Sequence, residues 1–285
     1  MADARATPLR TSRHPYLDWW GLREAPFQLE PEPRFAFPRD AHQEGLARML
    51  FGLTQLGGIV AITGEVGCGK TMLARALDQT LDADGFTVVG VSNPPRTPSG
   101  LLAALLASID STVRGGGAGR LAARLRARLS DEVAAGRQPV VVVDEAQRLD
   151  ARALDEVRML TNPGDGPAVP VVLLGQPELG THIRRLPQVA QRVVVRYHLG
   201  TMDRGEVSTY IQHRSRVAGA TRRLFSSRAE VAAHQETDGV PRLVNLLCAN
   251  ALFVGYARGE TQIGEDLIRD LSEDRDIERE AGGAK

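Results

Sequence analysis

Lysine is almost absent from this chain of 285 residues: Lys70 and the terminal Lys285 are two of 35 basic side chains, and the rest are arginine. Acidic side chains also number 35, so the formal charge is zero and no global field draws the protein to nucleic acid or anionic lipid. Cysteine is scarce. Cys68 and Cys248 offer no disulfide framework, which predicts a reducing, cytoplasmic setting. The N-terminus lacks an apolar signal segment, and no run of about 18 apolar residues occurs anywhere. The expectation is a chain that neither enters nor spans a membrane by itself. Its length allows one large α/β domain and a small second one.

What is present starts at the lone internal lysine. Lys70 ends the run Gly64-Glu65-Val66-Gly67-Cys68-Gly69-Lys70-Thr71, followed by Met72. Gly64, Gly67 and Gly69 let successive N–H groups point inward at phosphate oxygens with no Cβ in the way. The following helix adds its positive N-terminal end. A compact ammonium at Lys70 suits the β- and γ-phosphates better than a guanidinium fork, and the Thr71 hydroxyl suits Mg²⁺. The context agrees, because residues 58–63 read as a buried strand entering the loop and residues 72–77 as a helix leaving it. Cys68 lies inside the loop, where a disulfide would be disruptive.

Along the chain, residues 1–14 read as a disordered arm. Residues 16–37 are dense in Trp, Phe and Pro and predict an ordered segment pinned to the main body, either as packing or as a wall of an adenine pocket. Asp40 is the expected cap of a helix running to about Gln55. Strands are predicted at 58–63, 86–92, 140–144, 169–174 and 193–199, with helices at 101–109 and about 121–135 between them. Alternating strands and helices indicate a five-stranded parallel sheet covered on both faces. From Met202 the pattern is purely helical, with helices near 203–218, 226–237, 241–258 and 264–275. The predicted organisation is therefore an α/β domain over 15–200 and a helical lid with a charged tail over 201–285.

The second chemical motif is Val140-Val141-Val142-Val143-Asp144-Glu145-Ala146-Gln147. A carboxylate at the C-terminal end of a buried strand stands at the sheet edge where doubly wound folds bind ligands. Asp144 is placed to hold Mg²⁺ through its water shell, and Glu145 to polarise the water that attacks the γ-phosphate.

These motifs, followed by a helical lid, resemble those of the P-loop AAA+ ATPases. The chain is similar in particular to the general secretion pathway protein A family. The likeness is carried by Trp20-Gly21-Leu22 with Pro26-Phe27, Asp144 to Gln147, and Gly175-Gln176-Pro177-Glu178-Leu179. It continues through Gln191-Arg192, Tyr210-Ile211-Gln212-His213-Arg214 and Gly239-Val240-Pro241-Arg242-Leu243-Val244-Asn245, so it covers roughly residues 16–260. The resemblance implies an Mg²⁺-dependent ATP hydrolase. Gln176 is its sensor-1 residue beside Glu145, Arg242 its sensor-2 contact to the γ-phosphate, and Arg192 the arginine finger acting on a neighbouring subunit. Arg184 and Arg185 are rivals for the finger. A finger requires a homo-oligomer, ring or filament. Family members of the secretion type continue into a transmembrane helix and a periplasmic domain, and neither is expected here. The resemblance therefore implies a short cytoplasmic member, peripheral to the inner membrane through a protein partner of a secretion, pilus or polysaccharide-export assembly.

Two other readings stand beside this one. Arg120, Arg124 and Arg128 repeat at four-residue spacing with Arg126 nearby, and like charges so placed repel. Duplex DNA would relieve that cost, as in AAA+ regulators of transposition. The alternative for the stripe is a solvated face paired with acids such as Asp131 and Glu132. The second reading is a nucleotide-gated scaffold with very slow turnover, against which the presence of Glu145 argues.

Overall fold

The computed structural model describes residues 15–282 apart from 31, 84, 111–114 and 165. The arm expected over 1–14 lies outside the described residues. In chain order the first elements are α1 (Pro15–Trp20), α2 (Asp40–Phe51), β1 (Ile59–Thr63), α3 (Lys70–Ala83), β2 (Phe86–Val91), α4 (Pro98–Ile109), α5 (Ala118–Ala134) and β3 (Gln138–Val143). There follow α6 (Ala151–Leu160), β4 (Val171–Gly175), α7 (Pro177–Arg184), α8 (Pro187–Ala190) and β5 (Val193–His198). The chain finishes with α9 (Arg204–Val217), α10 (Ser227–Thr237), α11 (Pro241–Ala257) and α12 (Glu265–Gly282). Two compact units result, one of residues 38–201 and one that combines 1–37 with 202–285.

The first unit is a parallel five-stranded sheet in the order β2-β3-β4-β1-β5. Alternate residues of each strand point to opposite faces. Ile59, Ala61, Val141, Val143, Val171 and Leu173 pack on one face against leucines of α4, α5 and α6. Val60, Ile62, Val140, Val142, Val172 and Leu174 pack on the other against Met49 of α2 and Leu73, Leu77 and Leu81 of α3. With both faces covered, an unbroken apolar run such as residues 140–143 is the sequence such a strand requires. β5 is an edge strand, and its residues alternate between half-buried and exposed. The order places the end of β4 between the ends of β1 and β3, which decides what can meet there.

Several element ends differ from the sequence reading, and α2 differs at both of its own. Asp40 is not the cap of α2: Arg39 holds that position without a side-chain cap bond, and Asp40 stands in the first turn. Its charge there still favours the helix macrodipole. α2 also stops at Phe51 and gives way to a π-helical turn over Gly52–Leu56. At that point the backbone comes so close to β1 that a Cβ on Gly52 would lie 2.5 Å from Val60 Cγ2.

The second unit corrects the placement of the aromatic segment. Residues 15–37, expected on the α/β body, pack in the helical unit, where Leu17, Trp20, Leu22, Phe27 and Phe35 share a core with α9, α10, α11 and α12. Specific polar contacts fix it there. Trp20 Nε1 donates to Leu252 O at 2.8 Å, and the Phe27 ring meets Phe225 edge-on at 5.8 Å. Arg214, only 6% exposed, donates to Pro26 O at 2.6 Å and to the Tyr210 hydroxyl at 2.8 Å, and its guanidinium lies 4.9 Å from the Phe35 ring centre. Tyr210 in turn donates to Asn245 Oδ1 at 2.8 Å. A buried guanidinium needs acceptors, and backbone carbonyls of residues 26 and 28 supply them.

Candidate active site

The phosphate loop connects the end of β1 to the start of α3. Its backbone takes the left-handed region at Gly67 (φ 87°) and Gly69 (φ 101°). Gly69 is required twice over, since a Cβ there would also stand 2.5 Å from His42 Nε2 of α2. Lys70 is 5% exposed, and its ammonium donates to Gly64 O at 2.8 Å and Glu65 O at 2.9 Å. The loop's own carbonyls thus hold the cation at the mouth of the loop. The first amides of α3, at Lys70, Thr71 and Met72, have no intrahelical acceptors and carry the positive end of the helix dipole.

Thr71 reaches across to the end of β3, where its hydroxyl donates to Asp144 Oδ2 at 2.8 Å. Asp144 is 6% exposed, and its other oxygen accepts the Glu145 N–H at 2.9 Å. A hydroxyl and a carboxylate oxygen beside a phosphate loop form a hard-oxygen pair that fits Mg²⁺. Glu145 sits in the left-handed region at φ 58°, ψ 32°, which is uncommon for a residue with a side chain and turns the chain sharply off the strand. A cleft of about 350 Å³ opens beside the pair, walled by Thr71, Arg75, Asp78, Ser92, Val142 and Asp144.

Gln147 was not singled out by the sequence as a functional side chain. Its Nε2 donates to Glu145 Oε2 at 2.7 Å, and its Oε1 accepts the Gln176 N–H at 3.1 Å. The sequence offers two signals for it, its position two residues beyond Glu145 and its place at the end of the motif Asp144 to Gln147. Gln176 stands just after β4 as the residue preceding α7, and its side chain makes no cap bond there. Cys68 is fully buried, and that burial pushes its thiol above the ordinary value, outweighing the opposing charge of Lys70. The loop cysteine is therefore not a poised nucleophile.

An AAA-domain profile matches residues 54–182, which contain the phosphate loop, Asp144, Glu145 and Gln176. Over 253 residues the chain is 38% identical to General secretion pathway protein A of Aeromonas hydrophila, a match that covers 87% of this chain and 46% of that protein. The chain carries an AAA domain and has the P-loop AAA+ fold. It spans about half the length of that curated relative. Among solved structures, the ORC2 protein of Aeropyrum pernix superposes with a TM-score of 0.63 at 18% identity, covering 86% of this chain and 72% of that one. Cdc6p from Pyrobaculum aerophilum gives 0.67 at 16% identity, covering 82% and 67%. At such identities the likeness is one of fold, and the fold is the AAA+ α/β domain with a helical unit.

Within this AAA+ fold, Lys70, Thr71, Asp144, Glu145 and Gln176 come together at the C-terminal ends of β1, β3 and β4. Arg192 does not join them. It precedes β5, is exposed, and its carbonyl accepts the Ile59 N–H at 2.8 Å, so it lies at the opposite end of β1. Four strand steps, about 13 Å, separate that end from the phosphate loop. Arg184 closes α7, where it donates to Thr181 Oγ1 at 2.9 Å, and Arg185 follows it. Arg242 is the second residue of α11 in the helical unit.

Two of the four arginines of the α5 stripe are paired within their own unit. Arg124 meets Asp110 at 3.0 Å, and Arg128 meets Asp110 at 4.0 Å and Asp131 at 3.6 Å. Glu132, the other expected partner, instead takes Arg137 at 2.7 Å and the Thr87 hydroxyl at 2.7 Å. Among the described residues no helix is long and apolar enough to cross a membrane.

Proposed function

We propose that the chain is an Mg²⁺-dependent ATP hydrolase whose cycle repositions a protein partner. The phosphates lie in the loop Gly64–Thr71, with Lys70 turning from the loop carbonyls to the β- and γ-phosphates. Thr71 and Asp144 are the residues that would hold Mg²⁺, which when bound would supply charge neutralisation to the phosphates. Glu145 accepts a proton from the attacking water, and Gln176 orients that water from the end of β4. The products are ADP and phosphate. Arg242 carries the state of the γ-phosphate into the helical unit. Arg192, remote from its own loop, acts on a neighbour's site, which makes the working form a homo-oligomer. Arg184 and Arg185 remain the rival fingers in this scheme.

The Thr71–Asp144 contact at 2.8 Å carries the reading, because it joins the phosphate loop to the catalytic strand at the position where phosphate oxygens and a cation must meet. The similarity to General secretion pathway protein A supports a protein partner in a secretion assembly; a cytoplasmic place beside the inner membrane, and a pilus or polysaccharide-export assembly as the alternative setting, belong to the same proposal. Steady-state phosphate release tests the chemistry. Glu145→Gln protein should bind ATP, stay assembled and release phosphate at least about 100-fold more slowly than the parent. Turnover at the parental rate would remove Glu145 from the mechanism.

A further inference from the structure

Gln147 is bonded at both ends, and its orientation follows from chemistry. The Gln176 N–H can only donate, so the oxygen of the Gln147 amide must face it, and the amide nitrogen must face Glu145. A carboxylate in that place could not serve both partners, since it has no proton to offer Glu145 at neutral pH. The left-handed turn at Glu145 brings side chains 145 and 147 to the same side of the short 3-10 turn Ala146–Arg148. The fit extends to Gly175, where an added Cβ would stand 2.8 Å from Gln147 Oε1. Gly175 O also accepts the Gly64 N–H at 3.1 Å. The connection therefore runs from the Glu145 carboxylate through Gln147 to the end of β4, and from there to the first residue of the phosphate loop.

We propose that Gln147 is a positioning residue that fixes the Glu145 carboxylate relative to the phosphate loop. It occupies one side of Oε2 and leaves Oε1 to accept the water proton, while Gln176, the other water-orienting residue, is tied to the same amide. The role rests on the reading of Glu145 as the residue that polarises water. It differs from a packing role in what its loss changes. A positioning residue alters turnover and leaves nucleotide affinity alone.

The test compares Gln147→Ala and Gln147→Glu with Glu145→Gln and the parent, measuring kcat, KM and the Kd of ATP by titration. Gln147→Ala should lower kcat about 10- to 100-fold with KM and Kd within about twofold of the parent. Gln147→Glu keeps an acceptor for Gln176 but sets two carboxylates side by side. Its kcat should be as low at pH 8 and recover toward the parent as the pH falls and the introduced carboxyl gains a proton to donate. Unchanged kcat in Gln147→Ala overturns the proposal, and so does a joint loss of kcat and affinity. If Glu145→Gln is inactive while Gln147→Ala is fully active, only this inference fails. If Glu145→Gln itself hydrolyses ATP at the parental rate, the underlying reading fails first.

Discussion

Replacing Arg214 by methionine should loosen the N-terminal segment from the helical unit. The side chain is buried and gives Pro26 O and the Tyr210 hydroxyl short bonds of 2.6 and 2.8 Å, with Phe35 4.9 Å below the guanidinium. Hydrogen bonds from a charged donor contribute about 1.5–3 kcal/mol each, and the cation–π contact about 1–2 kcal/mol. Removing the arginine also returns its own desolvation cost of several kcal/mol, and methionine refills part of the volume. The net loss is about 2–3 kcal/mol, equivalent to a fall in melting midpoint of about 8–12 °C for a unit of this size. Trp19 and Trp20, the chain's two tryptophans, both lie on α1, so intrinsic fluorescence follows this unit. Denaturant titration should show an earlier fluorescence midpoint, and limited proteolysis should cut sooner within residues 15–37. A midpoint within about 0.5 kcal/mol of the parent would refute the network as the anchor of the segment.

Two further predictions concern pH and thiols. The Arg137 guanidinium, helped by the Thr87 hydroxyl, lowers the Glu132 carboxyl from 4.5 to about 2. A depressed carboxylate stabilises the fold above its unfolded pKa and loses that contribution as pH falls from 4.5 to about 2. Glu132→Gln should therefore cost on the order of 1 kcal/mol at pH 7 after screening and close to nothing at pH 2, read from melting midpoints at the two pH values. Burial raises the thiols of Cys68 and Cys248, so neither should react with a thiol reagent at neutral pH until denaturant is added. Fast stoichiometric labelling of native protein would contradict their packing.

The phosphate loop was legible because its chemistry is local: eight consecutive residues determine which backbone groups face the ligand. Asp144 and Glu145 were legible because a strand apolar on both faces must be buried, and the first polar residues beyond it must stand at the sheet edge. Gln147 was not, since its second partner is 29 residues away and depends on β4 lying between β1 and β3. The aromatic segment shows the same limit. Its Trp and Phe content demands burial but does not say against what, and the carbonyl that Arg214 uses is separated from it by 188 residues. The arginine stripe of α5 shows the spacing of its charges but not Asp110, which the turn beyond α4 brings alongside. Strand ends shifted by a residue or two, whereas α4 and α5 begin three residues before the expected starts and α12 runs to Gly282, because turn geometry, not periodicity, decides such boundaries.

In the proposed function, Lys70 and its loop hold the phosphates of ATP. Titration of a fluorescent ATP analogue with Mg²⁺ into parent and Lys70→Ala protein tests it directly. The parent should bind saturably, with unlabelled ATP displacing the analogue, and Lys70→Ala should lose at least about 100-fold in affinity while keeping the parental fluorescence of Trp20. Equal affinity in the two proteins would show that Lys70 does not hold the phosphates.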